Sequence, residues 1–541
     1  MIKVADIVIR GAMLVDGTGD RPRPADVAVS AGEICDVGQL DEVQAESVID
    51  ATGQVICPGF IDIHAHSDLT LLSSPLAQSK VRQGVTTEVV DNCGLGVAPL
   101  PPGGDANALR AAVSYLDLDP AVRWTWATEA DYLEEVNRAR PSLNVAALVG
   151  HIPLRVAAVG FEARPATGHE IDMMAGLLGE SLDGGAFGLS TGLAYAPVCY
   201  ADDTELTALA RVVASRNATF AWHMRDYGDA LIPAVEQVVA IAKATGCRMQ
   251  ISHLVAVGRQ NWGAVSTALG LIEAANDGGA EIGADIYPYI AGNCPLSQIL
   301  PYWAQEGDDR LFKERLLGPE ARRSIKRSWI DRSTSWSDLV VSRAPGHEHV
   351  VGRSLETAAG ELGTAPSELA LDLLAEMGNA VTITAYGRSE EDVLTVLHHR
   401  VTVMGSDGQA LDPGGATGTG LPHPRSYGCY PRLLSRYVAN ELPIERAIQM
   451  SSGAVATRLG LERRGRVAPG YWADLVVFEP GSITDRATFD HPHQYPEGIS
   501  YVLVNGVVVV GPEGHLGARP GVCLLTSSRS PRGTTTTEAQ I

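Results

Sequence analysis

The sequence is poor in lysine, with only Lys3, Lys80, Lys243, Lys313 and Lys326 in 541 residues. Acidic residues outnumber basic ones and leave a formal net charge of -22, which argues against nucleic acid or an anionic membrane as a partner. No run approaches the ~18 uncharged apolar residues that a membrane-spanning helix needs. The eight cysteines stand singly with no CxxC pair, which excludes a disulfide framework or a cysteine-only zinc ribbon and suits reduced thiols. The first residues, MIKVAD, lack the basic and apolar regions of a secretory leader. A cytoplasmic protein is therefore expected. Its expected partner is a small-molecule substrate rather than nucleic acid or membrane, with self-association left open.

Hydrophobic residues at 45% and charged residues at 20% are ordinary for a globular enzyme and supply a large core. Residues 1–57 read as short strands separated by turns, and they need partners to bury a second face. Matching β-branched runs occur at 473–478 and 499–510, with an Asn505-Gly506 hairpin signal. A small β-sandwich built from both termini, 1–57 plus 464–525, is expected.

Between these ends, apolar runs alternate with helical segments. Candidate strands cover 55–66, 85–93, 145–151, 186–191, 219–223, 249–253, 281–287 and 401–407, the eight that a (β/α)8 TIM-like barrel over 58–463 requires. The fold class expected is thus α/β. An inserted cap is expected at about 291–345, a flexible active-site loop at 409–421, and a disordered low-complexity tail at 526–541.

The carboxyl ends of these runs carry His64 and His66, Cys93, His223, His253 and Asp407. On a strand, residues two apart share a face, so His64 and His66 would project together. Each member alone has an ordinary structural explanation. Their joint fall at strand ends, where such barrels carry active sites, points to a metal centre. Imidazole and thiolate around a divalent metal with an open position make a hydrolytic site, because the metal lowers the pKa of bound water toward ~7 and polarises a carbonyl. Asp407 could then accept the water's proton and pass it to a leaving nitrogen. His347 and His349 in the insertion, His398-His399 at a helix end, and His491 and His493 in the terminal region fall outside this set.

Several motifs extend the pattern: PGFIDIHAHSD (58–68), GVTTEVVDNCGLGVAPL (84–100), GLSTGLAYAP (188–197), WHMRD (222–226), QISHL (250–254), GADIYPY (283–289), MGSDG (404–408), HPRSYG (423–428) and GYWADLVVFEP (470–480). With these the sequence resembles the amidohydrolase superfamily, and within it the N-acyl-D-amino-acid deacylase (D-aminoacylase) family. The carbamylated lysine that bridges two metals in many superfamily members has no counterpart, since no lysine lies between Lys80 and Lys243.

The resemblance implies one tight Zn2+ on Cys93, His223 and His253, a weaker second site at His64 and His66, and Asp407 as catalytic acid/base. It further implies that Arg425 pairs with the substrate carboxylate and that Tyr195 and Tyr287 or Tyr289 lie near the acyl and carboxylate groups. The sequence departs from the family at Val255, where lysine is common, and at Ala291-Gly292-Asn293-Cys294, where small hydroxyl residues usually follow YPY. The activity expected is zinc-dependent hydrolysis of an N-acyl amide of a D-amino acid or related compound. The alternatives are a cyclic amide, carbamate or D-residue-containing peptide on the same machinery, and a non-catalytic scaffold.

Overall fold

A computed structural model describes residues 4–101, 103, 106–330, 335–438 and 440–526. The tail expected from 526 onward lies outside the described residues apart from Thr526.

Both termini enter one nine-stranded sheet. Its order runs Gly514–His515, Val507–Gly511, Ile499–Val504, Leu475–Phe478, Val55–Pro58, Val4–Leu14, Arg23–Ser30 and Glu33–Gly38, with Gln44–Asp50 also pairing Val4–Leu14. The seam between the two ends of the chain is antiparallel, Leu475 opposite Pro58 and Phe478 opposite Val55. The Asn505-Gly506 turn has positive φ at both residues, 49° and 77°, as a tight hairpin requires. Alternate residues such as Ile9, Val27, Ile56, Leu475 and Leu503 make a buried apolar cluster of their own.

The central strands are Phe60–Asp62, Val85–Val90, Asn144–Ala147 continuing as Val149–Gly150, Gly188–Gly192, Thr219–His223, Arg248–Ile251, Ile282–Ile286 and Thr402–Met404. Each pairs in parallel with the next in this order. A parallel bridge between Ala65 and Gly408 then joins the chain beyond the last strand to the chain beyond the first. The strands are buried almost throughout, which suits parallel strands covered on their outer face by helices. Those helices include Gly168–Asp183, Asp203–Ser215, Leu231–Thr245 and Ala264–Asp277. Thr167 and Glu170 form a reciprocal capping box at the first of them, and Asp202 caps the second.

A three-stranded antiparallel sheet joins Ala291–Pro295, Thr382–Tyr386 and Leu339–Arg343. A separate apolar cluster runs from Leu296 to Ile383. No helix among the described residues is long and apolar enough to cross a membrane.

Candidate metal centre

The first central strand stops at Asp62, so His64 and His66 stand just beyond it rather than on it. Their place is set by hydrogen bonds to the far end of the chain: Asp407 N donates to His64 O at 2.7 Å and His66 N to Gly408 O at 2.9 Å. Beneath them, buried Lys80 ties the first and second strands to the turn that carries Asp407. Its Nζ lies 2.8 Å from Asp62 Oδ2, 2.7 Å from Glu88 Oε1 and 2.8 Å from Ser406 Oγ. Asp62 also accepts from Ser406 N at 2.7 Å. Cys93, His253 and Asp407 all have positive φ, 57°, 35° and 53°. Non-glycine residues hold such conformations only where their surroundings enforce them.

Two groups of ligand atoms, each within 4.8 Å of one another, share one thiol: His64, His66, Cys93 and Asp407, and Cys93, His223 and His253. Cys93 Sγ lies 3.2 Å from His64 Nε2 and 3.6 Å from His253 Nε2. All six residues are buried. Burial by itself would push the Cys93 thiol up, but the imidazoles of His64, His223 and His253 outweigh it and hold the thiol well below its ordinary range. Burial pushes His253 down. A thiolate and neutral imidazoles are zinc ligands, and the Nδ1 atoms of His223 and His253 are buried with no protein hydrogen-bond partner. The donor set fits zinc.

Asp407 joins this centre to Arg425. Its Oδ1 lies 2.9 Å from His66 Nε2 and its Oδ2 2.7 Å from Arg425 Nη1. Burial would raise the carboxyl, but Arg425 and the nearby imidazoles hold it well below the usual range.

A cavity of about 660 Å³ opens over the centre. His66, Tyr195, His223, His253, Tyr287 and Asp407 line its floor, while Trp329, Leu339, Ile383 and Ala385 supply an apolar wall. Tyr195 packs 5.0 Å from the His223 ring. Tyr289 is engaged elsewhere, donating to Asp485 Oδ2 at 3.0 Å. Arg425 is buried beside Asp407, its Nη2 3.5 Å from the Tyr115 hydroxyl and from Asn293 O, both in residues that line the cavity. None of residues 409–421 lines it either; the loop's start is pinned, with Ala410 N donating to Ser67 Oγ and Leu411 N to Ser79 Oγ, both at 2.8 Å. Outside the centre, His347 pairs with Glu376 at 2.9 Å and His399 with Glu273 at 3.1 Å.

Sequence reasoning passes over Asp285, which lies 3.1 Å from His64 Nδ1 and accepts from His253 N at 2.8 Å. The signal is present in GADIYPY, a carboxylate amid an apolar strand. Asp62 is passed over as well, and its carboxylate accepts from Lys80 Nζ at 2.8 Å and from Ser406 N at 2.7 Å. Tyr115, whose ring meets His66 at 5.7 Å, lies in a segment with no motif to mark it.

The sequence profile of the amidohydrolase family matches residues 47–293 and 340–510. The chain is 36% identical over 519 residues to an N-acyl-D-glutamate deacylase of Alcaligenes xylosoxydans xylosoxydans, covering 95% of this chain and 96% of the relative. It is 33% identical over 519 residues to a D-aminoacylase of the same organism, with the same coverage of each. The crystal structure of N-acyl-D-glutamate deacylase from Bordetella bronchiseptica, complexed with zinc and a phosphonate mimic of the tetrahedral intermediate, superposes with a TM-score of 0.83. That pair shares 34% identity over 97% of this chain and 100% of the other.

Proposed function

Because this chain belongs to the amidohydrolase family, and within it to the D-aminoacylase group, we propose that it hydrolyses the N-acyl amide bond of a D-amino acid or a related compound. The observation that carries the reading is the buried thiol of Cys93, shared by two sets of imidazoles beside the Asp407 carboxylate at the floor of a cavity.

In this reading the eight parallel strands form a (β/α)8 barrel over 58–463 with a cap inserted after residue 290, and the termini, 1–57 and 464–525, form a β-sandwich packed against it. The setting is cytoplasmic. Cys93, His223 and His253 hold the tight zinc, with His64 and His66 at a weaker second position. Zinc bound there supplies the positive charge that polarises the scissile carbonyl and lowers the pKa of water toward ~7. The protein's own groups do the rest. Asp407, kept ionised by Arg425, takes the proton of the attacking water and delivers it to the leaving nitrogen. Asp285 fixes the orientation of His64 and the backbone of His253, and Tyr195 and Tyr287 flank the bound amide.

The test is a panel of N-acetyl-D- and N-acetyl-L-amino acids together with hydantoins and dihydropyrimidines, run on zinc-loaded enzyme. Turnover of the D-isomers supports the reading. Turnover confined to the L-isomers overturns it, and ring opening without linear deacylation assigns the same machinery to cyclic amides.

A further inference from the structure

The stretch GLSTGLAYAP (188–197) brings Tyr195 to the cavity, and it also holds a fully buried serine. Ser190 lies on the fourth central strand, Gly188–Gly192, whereas Cys93 follows the second, Val85–Val90. The third strand runs between them. Where it pairs with Ser190 it has Gly150, and a Cβ there would come within 2.9 Å of Gly94 O. The missing side chain lets the serine reach across. Its hydroxyl accepts from Gly94 N at 2.9 Å and donates to Asp91 O, so one oxygen spans the turn on both sides of Cys93. Thr191, the next hydroxyl along the strand, bonds instead to His151 Nδ1 at 2.9 Å.

The turn needs such a brace. Asp91, Cys93 and Gly94 all have positive φ, 59°, 57° and 70°. Two of the three carry side chains, for which that conformation is unfavourable unless the surroundings enforce it. Asp68 Oδ1 holds the start of the turn by accepting from Asp91 N at 2.9 Å, and Ile152 N holds its end by donating to Gly94 O at 2.9 Å. The end of the fourth strand closes in as well, since a Cβ on Gly192 would lie 1.9 Å from Cys93 O. Ser190 is the side chain that ties the residue before Cys93's neighbour Asn92 to the residue after Cys93. Without its hydroxyl, a buried amide and a buried carbonyl lose their partner inside the protein, and the strained turn loses what joins its two halves.

We propose that Ser190 is a positioning residue for the metal centre: by fixing the turn at 91–94 it sets the direction of the Cys93 thiolate that both groups of imidazoles share. The inference rests on Cys93 being a zinc ligand. It gives the GLSTG stretch a task two strands away from the thiol it serves.

The test compares wild type with Ser190→Ala, with thermal midpoints verifying the fold. Ser190→Cys, which keeps a weak donor and acceptor in place, stands in if the alanine variant does not fold. Three quantities are read on the full chain: the thiolate-to-cobalt charge-transfer absorption of the cobalt-substituted enzyme, zinc affinity by competitive chelator titration, and hydrogen exchange of the metal-free enzyme by mass spectrometry. In Ser190→Ala the charge-transfer band should shift or weaken, and zinc affinity should fall about 10- to 100-fold, the usual effect of losing a group that orients a metal ligand. Peptides covering Gly94 should exchange about 10-fold faster, the scale of one lost buried hydrogen bond, while the terminal-sheet strand Ile499–Val504 keeps its wild-type rate. A band that Ser190→Ala leaves unchanged overturns the positioning role while Cys93 stands as a ligand. Exchange accelerated equally in Ile499–Val504 overturns it too, because the loss of zinc is then one of general stability. A wild-type cobalt enzyme with no thiolate band removes Cys93 from the metal and takes the proposal with it.

Discussion

Arg425 Nη1 lies 2.7 Å from Asp407 Oδ2, and both side chains are shut away from solvent. The guanidinium also lies 3.5 Å from the Tyr115 hydroxyl and from Asn293 O, both in residues that line the cavity. With the nearby imidazoles it holds a buried carboxylate well below the usual range, where burial alone would raise it.

Replacing that carboxylate tests its role directly. Asp407→Asn should retain zinc, because the thiolate and imidazoles of the second ligand group remain, while kcat falls by ~10²-fold or more, the scale of a lost proton-transfer group. Single-turnover rates and elemental analysis on one preparation check both halves. A harmless substitution would assign the proton transfer to another residue.

Cys93 belongs to both ligand groups, so its removal should be more damaging than loss of any one histidine. Cys93→Ala should lose zinc and turnover together. Full metal content in that variant, measured by mass spectrometry, would show that the thiol is not a ligand.

Asp285 touches one histidine through its ring and another through its backbone, at 3.1 and 2.8 Å. Asp285→Asn should lower zinc affinity or kcat by about 10- to 100-fold, the usual consequence of removing a partner that orients a metal ligand. A competitive chelator titration separates the two effects.

Asp485 should leave a mark on stability rather than on chemistry. Burial pushes its carboxyl up to about 6, although Tyr289 and Arg432 work against that. A group raised on folding contributes stability that is full below its unfolded pKa, near ~4, and is lost as pH rises through about 6. Asp485→Asn removes this dependence. Between pH 4 and 7 the variant should therefore gain on wild type by as much as ~3 kcal/mol in unfolding free energy. Denaturant titrations at several pH values measure the change.

The positions of the central strands are legible in the sequence because each apolar run ends in a polar residue that an inward-facing strand end can use. The motif clusters carry the thiol and imidazoles of the candidate centre for the same reason. The two histidines at 64 and 66 were harder to place, since the strand ends at Asp62 and what aligns them is pairing with residues 407 and 408, over three hundred positions away. The small antiparallel sheet escapes a linear reading because Thr382–Tyr386 looks like any other strand and only the fold pairs it with Ala291–Pro295. Motif resemblance likewise sets Tyr287 and Tyr289 side by side as equals. Both lie beyond the strand end at Ile286, where the chain turns them to different partners, Arg388 for one and Asp485 for the other.

Zinc titration of chelator-stripped enzyme, with hydrolysis of N-acetyl-D-leucine and N-acetyl-L-leucine followed at each addition, tests the central claim most directly. The account predicts no turnover without metal, recovery of D-isomer hydrolysis over the first equivalent of zinc, and little or none with the L-isomer. Hydrolysis by the stripped enzyme, or zinc-restored activity confined to the L-isomer, would contradict it.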